Sequence, residues 1–181
     1  MPSTSKKARN KFNTHPDNVD YVVEPFKEVQ ALNEVQQEYL DNIKSNSIIF
    51  GLGSAGTGKT YVPAAYAASQ LYHKKISEIV ITRPNIEVGA SLGFLPGSLN
   101  EKYYPYLEPF ENVFIKYLGK GMYDYCIKNG NIIPKPIGYM RGLSFENCIV
   151  LVDECQNMTK TQFLMLLSRI GRNCKMILSG D

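Results

Sequence analysis

The chain has 181 residues, 44% of them hydrophobic, which suits one domain with a sizeable core and excludes a globally disordered polypeptide. Its net charge of +3 is uneven: Lys6, Lys7, Arg9 and Lys11 precede the first acidic residue, Asp17, and the remainder is close to neutral. Four cysteines without C-x-x-C spacing and two distant histidines, His15 and His73, argue against a zinc site and a disulfide framework. No apolar run approaches the roughly 18 residues of a membrane helix, and MPSTSKKARNKF lacks a secretory apolar core, so a cytoplasmic location without membrane contact is the expectation.

Residues 1–25 read as a basic, flexible arm broken at Pro16 and Pro25, either simply solvated or adding phosphate contacts to a nucleic acid. Residues 26–181 read as one domain. In NEVQQEYLDNIK, Val35, Tyr39 and Ile43 recur four apart, the spacing of one helical face. SIIFGLG is a short apolar strand, KTYVPAAYAASQLY an alanine-rich helix, and SEIVITRP a second strand stopped by Pro84. A loop-rich stretch containing Gly93, Pro96 and Gly97 leads to a tyrosine-rich helix start, and ENVFIKYLGKGMYDYCIKNG continues as helix. After short extended pieces in NIIPKPIGYMRG come a buried strand, ENCIVLVDE, a helix in TKTQFLMLLSRIG closed by Gly171, and a last strand, CKMILSGD. Alternating strands and helices predict an α/β fold with a mostly parallel sheet flanked by helices. The sequence stops directly after a strand, at Asp181, where α/β domains usually continue, so a truncated C-terminus is expected.

Gly53-Ser54-Ala55-Gly56-Thr57-Gly58-Lys59-Thr60 satisfies G-x-x-x-x-G-K-[ST] between a predicted strand and a predicted helix. Glycines let the backbone N–H groups turn inward around phosphate, and the helix N-terminus adds its own free N–H groups. Lys59 is then placed for the β- and γ-phosphates, Thr60 for Mg²⁺, and Tyr61 adjoins them. Pro63, about one turn into the helix, is expected to disturb an interior hydrogen bond but to be tolerated, with at most a kink, because it lies so close to the first turn. Downstream, CIVLVDECQ sets Asp153 and Glu154 at the end of a buried strand. Asp153 suits the Mg²⁺ water shell and Glu154 suits a general base for the attacking water; the alternative is a pair of surface carboxylates capping a helix. Gln156 is a candidate link from the γ-phosphate to a neighbouring surface. Ser179 and Asp181 end another strand, the position of a polar sensor. Gln36, better placed than Gln37, offers an amide that can read an adenine edge, or else is a solvated helix glutamine.

FGLGSAGTGKT, ITRP, LGFLPGSLNEKYYPYLEP, YMRG, VLVDECQN and LSRIGRNCKMILSGD, in this order, resemble the PhoH family of phosphate-starvation-inducible ATPases of bacteria and bacteriophages. The resemblance spans Gln30 to Asp181. It implies a RecA-like P-loop NTPase core related to superfamily 1 helicases, with Gln36 in an adenine-reading motif, Asp153 and Glu154 as Walker B, and Ser179 to Asp181 as a sensor. Some relatives join this core to a ribonuclease domain; nothing here supports carrying that activity over. Cys155 stands where alanine is common in the family.

One RecA-like core lacks the second domain that helicases close over the nucleotide. An arginine finger, worth about 10³–10⁵ in rate, can come from a neighbouring copy in a ring, a hexamer being the natural form. Arg141 is the first candidate, with Arg169 and Arg172 second; each is equally well a surface ion pair. Arg83 follows the second strand, where helicase relatives contact nucleic acid. Tyr103, Tyr104 and Tyr106 suit either base stacking or packing under a helix. Two functions stay open: an Mg²⁺-dependent ATPase acting on single-stranded RNA or DNA without sequence specificity, and a nucleotide-switched assembly module acting on a protein partner.

Overall fold

β-Branched and apolar runs give five strands that pair into one sheet, seen in a computed structural model that describes residues 26–84 and 107–181. The predicted arm, the LGFLPG block and the three clustered tyrosines lie outside the described residues. The strands are β1 (Ile48–Leu52), β2 (Glu78–Thr82), β3 (Ile132–Pro134), β4 (Cys148–Val152) and β5 (Cys174–Gly180). Their order is β1-β5-β4-β2-β3, and every pairing is parallel. All chain crossings therefore leave the C-terminal ends of the strands on one crest.

β4 is buried along its whole length, as a central parallel strand covered on both faces should be. Its alternate side chains feed two cores. Ile149 and Leu151 join Ile79, Ile81 and Ile177 under α1 (Glu34–Ser45), α2 (Tyr61–Tyr72), α3 (Glu108–Leu118) and α4 (Lys120–Lys128). Val150 and Val152 join Val80, Met176 and Leu178 beneath α5 (Lys160–Leu167) and the 3₁₀ turn Ile137–Met140. In α2, Ala64, Ala65, Ala67 and Ala68 are all fully buried, so small side chains bring this helix close to its neighbours. Both clusters bury aliphatic side chains worth about 1.5–3 kcal/mol each.

Several local expectations change. Asn33 caps α1 by accepting from the Gln36 N–H at 2.9 Å, but the buried face is Leu40 and Ile43, while Val35 is 75% exposed. The four-residue spacing was real but included one residue beyond the contact. The predicted helix through residues 111–130 is two helices, broken at Gly119, whose φ of +79° lies in the left-handed region. α5 opens with a reciprocal Thr159–Gln162 capping box. It ends at Leu167 rather than at Gly171, because Phe145 N–H takes the Arg169 carbonyl at 2.9 Å and Phe145 bridges to Ile170. Gly171 instead serves a close backbone approach: a Cβ there would sit 2.7 Å from the Phe145 oxygen.

Candidate nucleotide-binding site

Register places the chemistry. Leu52 pairs with Gly180, Val152 with Leu178, and Thr82 with Val152. The next residues after β1, β2, β4 and β5 are Gly53, Arg83, Asp153 and Asp181, and all four stand on the C-terminal crest. This is the edge of an open parallel sheet at which ligands bind.

From β1 the loop Gly53–Thr60 is anchored at both ends. Gly53 N–H continues the pairing to the Gly180 carbonyl at 3.2 Å, and the Thr57 hydroxyl donates to the Ser54 carbonyl at 2.9 Å. Gly56 and Gly58 have φ of +79° and +94°, values closed to most side chains. At Gly58 space is also short, since a Cβ would meet Gln36 Nε2 at 2.7 Å. Helical bonding begins with Val62 N–H to the Gly58 carbonyl at 3.0 Å. Pro63 is the third residue of α2, inside the first turn, so it does not interrupt the helix.

The charged groups neutralise one another within this crest. Lys59 Nζ donates to the Gly53 carbonyl and to the Asp181 carboxylate. Arg83 grips Asp153 Oδ2 through Nη2 at 2.5 Å and Nε at 3.2 Å, and its Nη2 lies 3.9 Å from Glu154 Oε1. The Thr60 hydroxyl faces the other Asp153 oxygen at 3.4 Å. Glu154 has φ of +54°, a left-handed conformation costing about 1 kcal/mol or more outside glycine. The turn aims its carboxylate at Gln156, whose Nε2 donates to Glu154 Oε2 at 2.6 Å while its Oε1 accepts from Asp181 N–H at 3.2 Å. Gln156 thus ties the end of β4 to the end of β5.

These groups surround a cavity of about 470 Å³ lined by Ala55, Gly56 and Gly58 to Tyr61 of the loop, by Arg83, Asp153, Glu154 and Asp181, and by Pro109 and Val113 of α3. Tyr61 is held by Lys116 Nζ at 2.7 Å and by the Tyr117 hydroxyl at 3.2 Å. Burial raises its pKa, but these two bonds outweigh burial and leave it below the ordinary tyrosine value. A second cavity of about 410 Å³ adjoins the loop on the α1 side, between Gln36, Tyr39, Phe50, Leu52 and Ser54. The Gln36 amide sits at its margin, donating to the Thr57 carbonyl at 2.9 Å and accepting from Leu32 N–H at 3.0 Å. It clamps the loop to α1.

The sequence reading missed the place of Arg83. It stands on the Walker B aspartate and not on a separate surface, and the signal was its position one residue past β2, level with Asp153. Ser179 also differs from a free sensor, because its hydroxyl donates to the Lys59 carbonyl at 2.9 Å. Arg141 is exposed at the end of the 3₁₀ turn and does not line the chain's own cavity. Arg169 bonds Ser168 and the Leu143 carbonyl, and the Arg172 carbonyl pairs with Asn147 beside the N-terminal end of β4. A role for any of these three at the phosphates requires another copy of the chain.

The residues fit a magnesium nucleotide. Two oxygen donors, Thr60 Oγ1 and Asp153 Oδ1, lie within reach of one hard cation, which normally takes one or two protein oxygens plus phosphate oxygens. A model of the family described as PhoH-like protein matches residues 28–181. The chain belongs to the PhoH family. It is 43% identical over 155 residues to protein PhoH of Escherichia coli K12, covering 84% of this chain and 44% of that protein. It is 41% identical over 155 residues to a PhoH-like protein of Bacillus subtilis, covering 86% and 49%. This PhoH-family chain thus spans about half the length of the curated relatives it matches. Among solved structures, the SWI2/SNF2 ATPase core of Sulfolobus solfataricus in complex with dsDNA aligns with a TM-score of 0.52 at 15% identity, covering 88% of this chain and 34% of that one. The PhoH-family fold is therefore the RecA-like P-loop fold. No helix among the described residues is long and apolar enough to cross a membrane.

Proposed function

We propose that the chain binds ATP with Mg²⁺ and hydrolyses it, and that turnover is coupled to remodelling of single-stranded RNA or, less specifically, of single-stranded nucleic acid. The observation that carries the ATPase reading is the convergence of Lys59, Thr60 and Asp153 on one glycine-rich loop, with Glu154 one residue on. The loop N–H groups and Lys59 hold the phosphates. Thr60 and Asp153 hold the cation, which when bound neutralises charge on the β- and γ-phosphate oxygens. Glu154 orients the attacking water and accepts its proton, and Gln156 fixes the carboxylate that does so. Gln36 and the second cavity suit the base. Coupling to RNA rests on the resemblance to helicase cores, and a hexameric ring with Arg141 of one copy reaching the phosphates of the next rests on the need for a cation at the developing charge.

The test is Mg²⁺-dependent ATP hydrolysis with and without single-stranded RNA, with Glu154→Gln as control. Turnover should vanish without Mg²⁺ and fall about 10²–10⁴-fold in the variant, the range for a lost general base. Stimulation by RNA supports the motor reading. Turnover indifferent to RNA and DNA favours the second reading, a nucleotide-switched assembly module. One observation speaks for that module: Ile48, Phe50 and Leu52 are exposed along the edge strand that carries the loop, with Leu164 also exposed. A protein surface would cover such a face.

A further inference from the structure

We propose that Arg83 competes with Mg²⁺ for Asp153, and that arrival of the magnesium nucleotide transfers the Arg83 guanidinium from that carboxylate to the terminal phosphate. The inference rests on the ATPase reading and assigns a cation in the same chain to the γ-phosphate.

Three observations carry it. First, the pair is built into the sheet. Thr82 and Val152 are register partners, Asp153 N–H bonds the Thr82 carbonyl at 2.9 Å, and a following proline, Pro84, biases Arg83 toward extended backbone. Arg83 and Asp153 are neighbours by backbone pairing, with Asp153 only 6% exposed. Second, both Asp153 oxygens are committed, Oδ2 to two guanidinium nitrogens and Oδ1 to the Thr60 hydroxyl. Thr60 and Asp153 are the pair that suits the metal, and a divalent ion there stands against a guanidinium that cannot lose its charge by deprotonation. The ion on Oδ1 repels the guanidinium on Oδ2 and draws charge from the carboxylate they share, which favours its withdrawal. Third, its destination lies in the same cavity. Arg83 lines it together with Gly58, Lys59, Thr60 and Glu154, and its side chain is 30% exposed, so it is not enclosed by the core. A guanidinium released beside phosphate oxygens finds the planar, bidentate acceptor it matches best. Lys59 makes a parallel exchange, leaving Asp181 for phosphate.

Two consequences separate this role from a merely structural ion pair. Arg83 should oppose Mg²⁺ binding and favour a third phosphate. Binding of fluorescent ADP and of a non-hydrolysable ATP analogue is measured across a Mg²⁺ titration for the wild type, Arg83→Ala and Arg83→Gln. The wild type should prefer the triphosphate by about tenfold more than either variant does, the order expected for a charge-assisted hydrogen bond. The Mg²⁺ concentration at half-saturation should fall severalfold in both variants. An unchanged Mg²⁺ midpoint with an unchanged triphosphate preference overturns the proposal and leaves the ATPase reading standing. Absence of nucleotide binding by the wild type overturns both. If Arg83→Ala fails to fold, the shape-conserving Arg83→Gln decides the matter on the same readouts.

Discussion

Ser179 donates its hydroxyl to the Lys59 carbonyl at 2.9 Å, and that carbonyl is the one Pro63 leaves without a helical donor. Val62 and Ala64 complete the flanking bonds to Gly58 and Thr60, so the gap falls at the P-loop lysine alone. β5 supplies what α2 lacks, with the Tyr39 hydroxyl a second, longer donor at 3.5 Å. Ser179→Ala should cost about 1–2 kcal/mol in urea unfolding, the cost of a buried acceptor left poorly satisfied. Pro63→Ala restores an N–H four residues on and should recover part of that loss in the double variant. Strict additivity of the two changes would show that they do not share the carbonyl.

Gly180 keeps two side chains in place. A Cβ there would lie 2.7 Å from both Cys155 Sγ and Gln156 Oε1. Gly180→Ala should push Gln156 off the Asp181 N–H and release Glu154. The expected result is turnover reduced about tenfold or more, the scale of a misplaced catalytic group, with nucleotide affinity nearly intact. Equal losses in affinity and turnover would instead point to a collapsed loop.

Thr82 is 1% exposed, and its hydroxyl has no hydrogen-bond partner among the described residues. Thr82→Val replaces an unsatisfied polar atom with a methyl of similar shape. Stability should rise by about 1 kcal/mol, read as a higher urea midpoint at constant slope. A fall in stability would reveal a partner for that hydroxyl in solution.

Burial lifts the Tyr39 pKa to about 12. A phenol held neutral in the folded chain but ionising near 10 in the unfolded one stabilises fully below pH 10. That contribution is lost as pH rises from 10 towards 12, and amounts to about 2–3 kcal/mol at most. Tyr39→Phe should flatten this part of the stability profile, as followed by urea unfolding between pH 9 and 11.5. A variant that loses stability as steeply as the wild type would assign the effect to other groups.

The strands and the nucleotide loop were legible because both rest on local signals: apolar runs of strand length, and glycines at fixed offsets before Lys59. Asp153 and Glu154 were legible for the same reason, being the first polar residues after a fully apolar strand. What escaped was set by pairing between distant segments. Strand order decides that Arg83 stands beside Asp153, and the sequence near Arg83 shows only that it follows a strand. The Lys59 carbonyl likewise needed Ser179, 120 residues away, while Pro63 on its own suggested only a disturbed helix. The end of α5 was misplaced because Phe145 and Arg169 draw the chain into a bridge before Gly171 is reached.

The position of β5 between β1 and β4 acts as a gauge. Two strand spacings, about 9–10 Å, separate the strand that carries Lys59 from the strand that carries Asp153. That width is fixed by main-chain hydrogen bonds, so no side-chain substitution can retune it. The loop from Gly53 arches across it to bring Thr60 to Asp153, and Asp181, the residue that follows β5, pairs with Lys59. Any load that shears β5 along its neighbours would therefore disturb both anchors of the nucleotide at once.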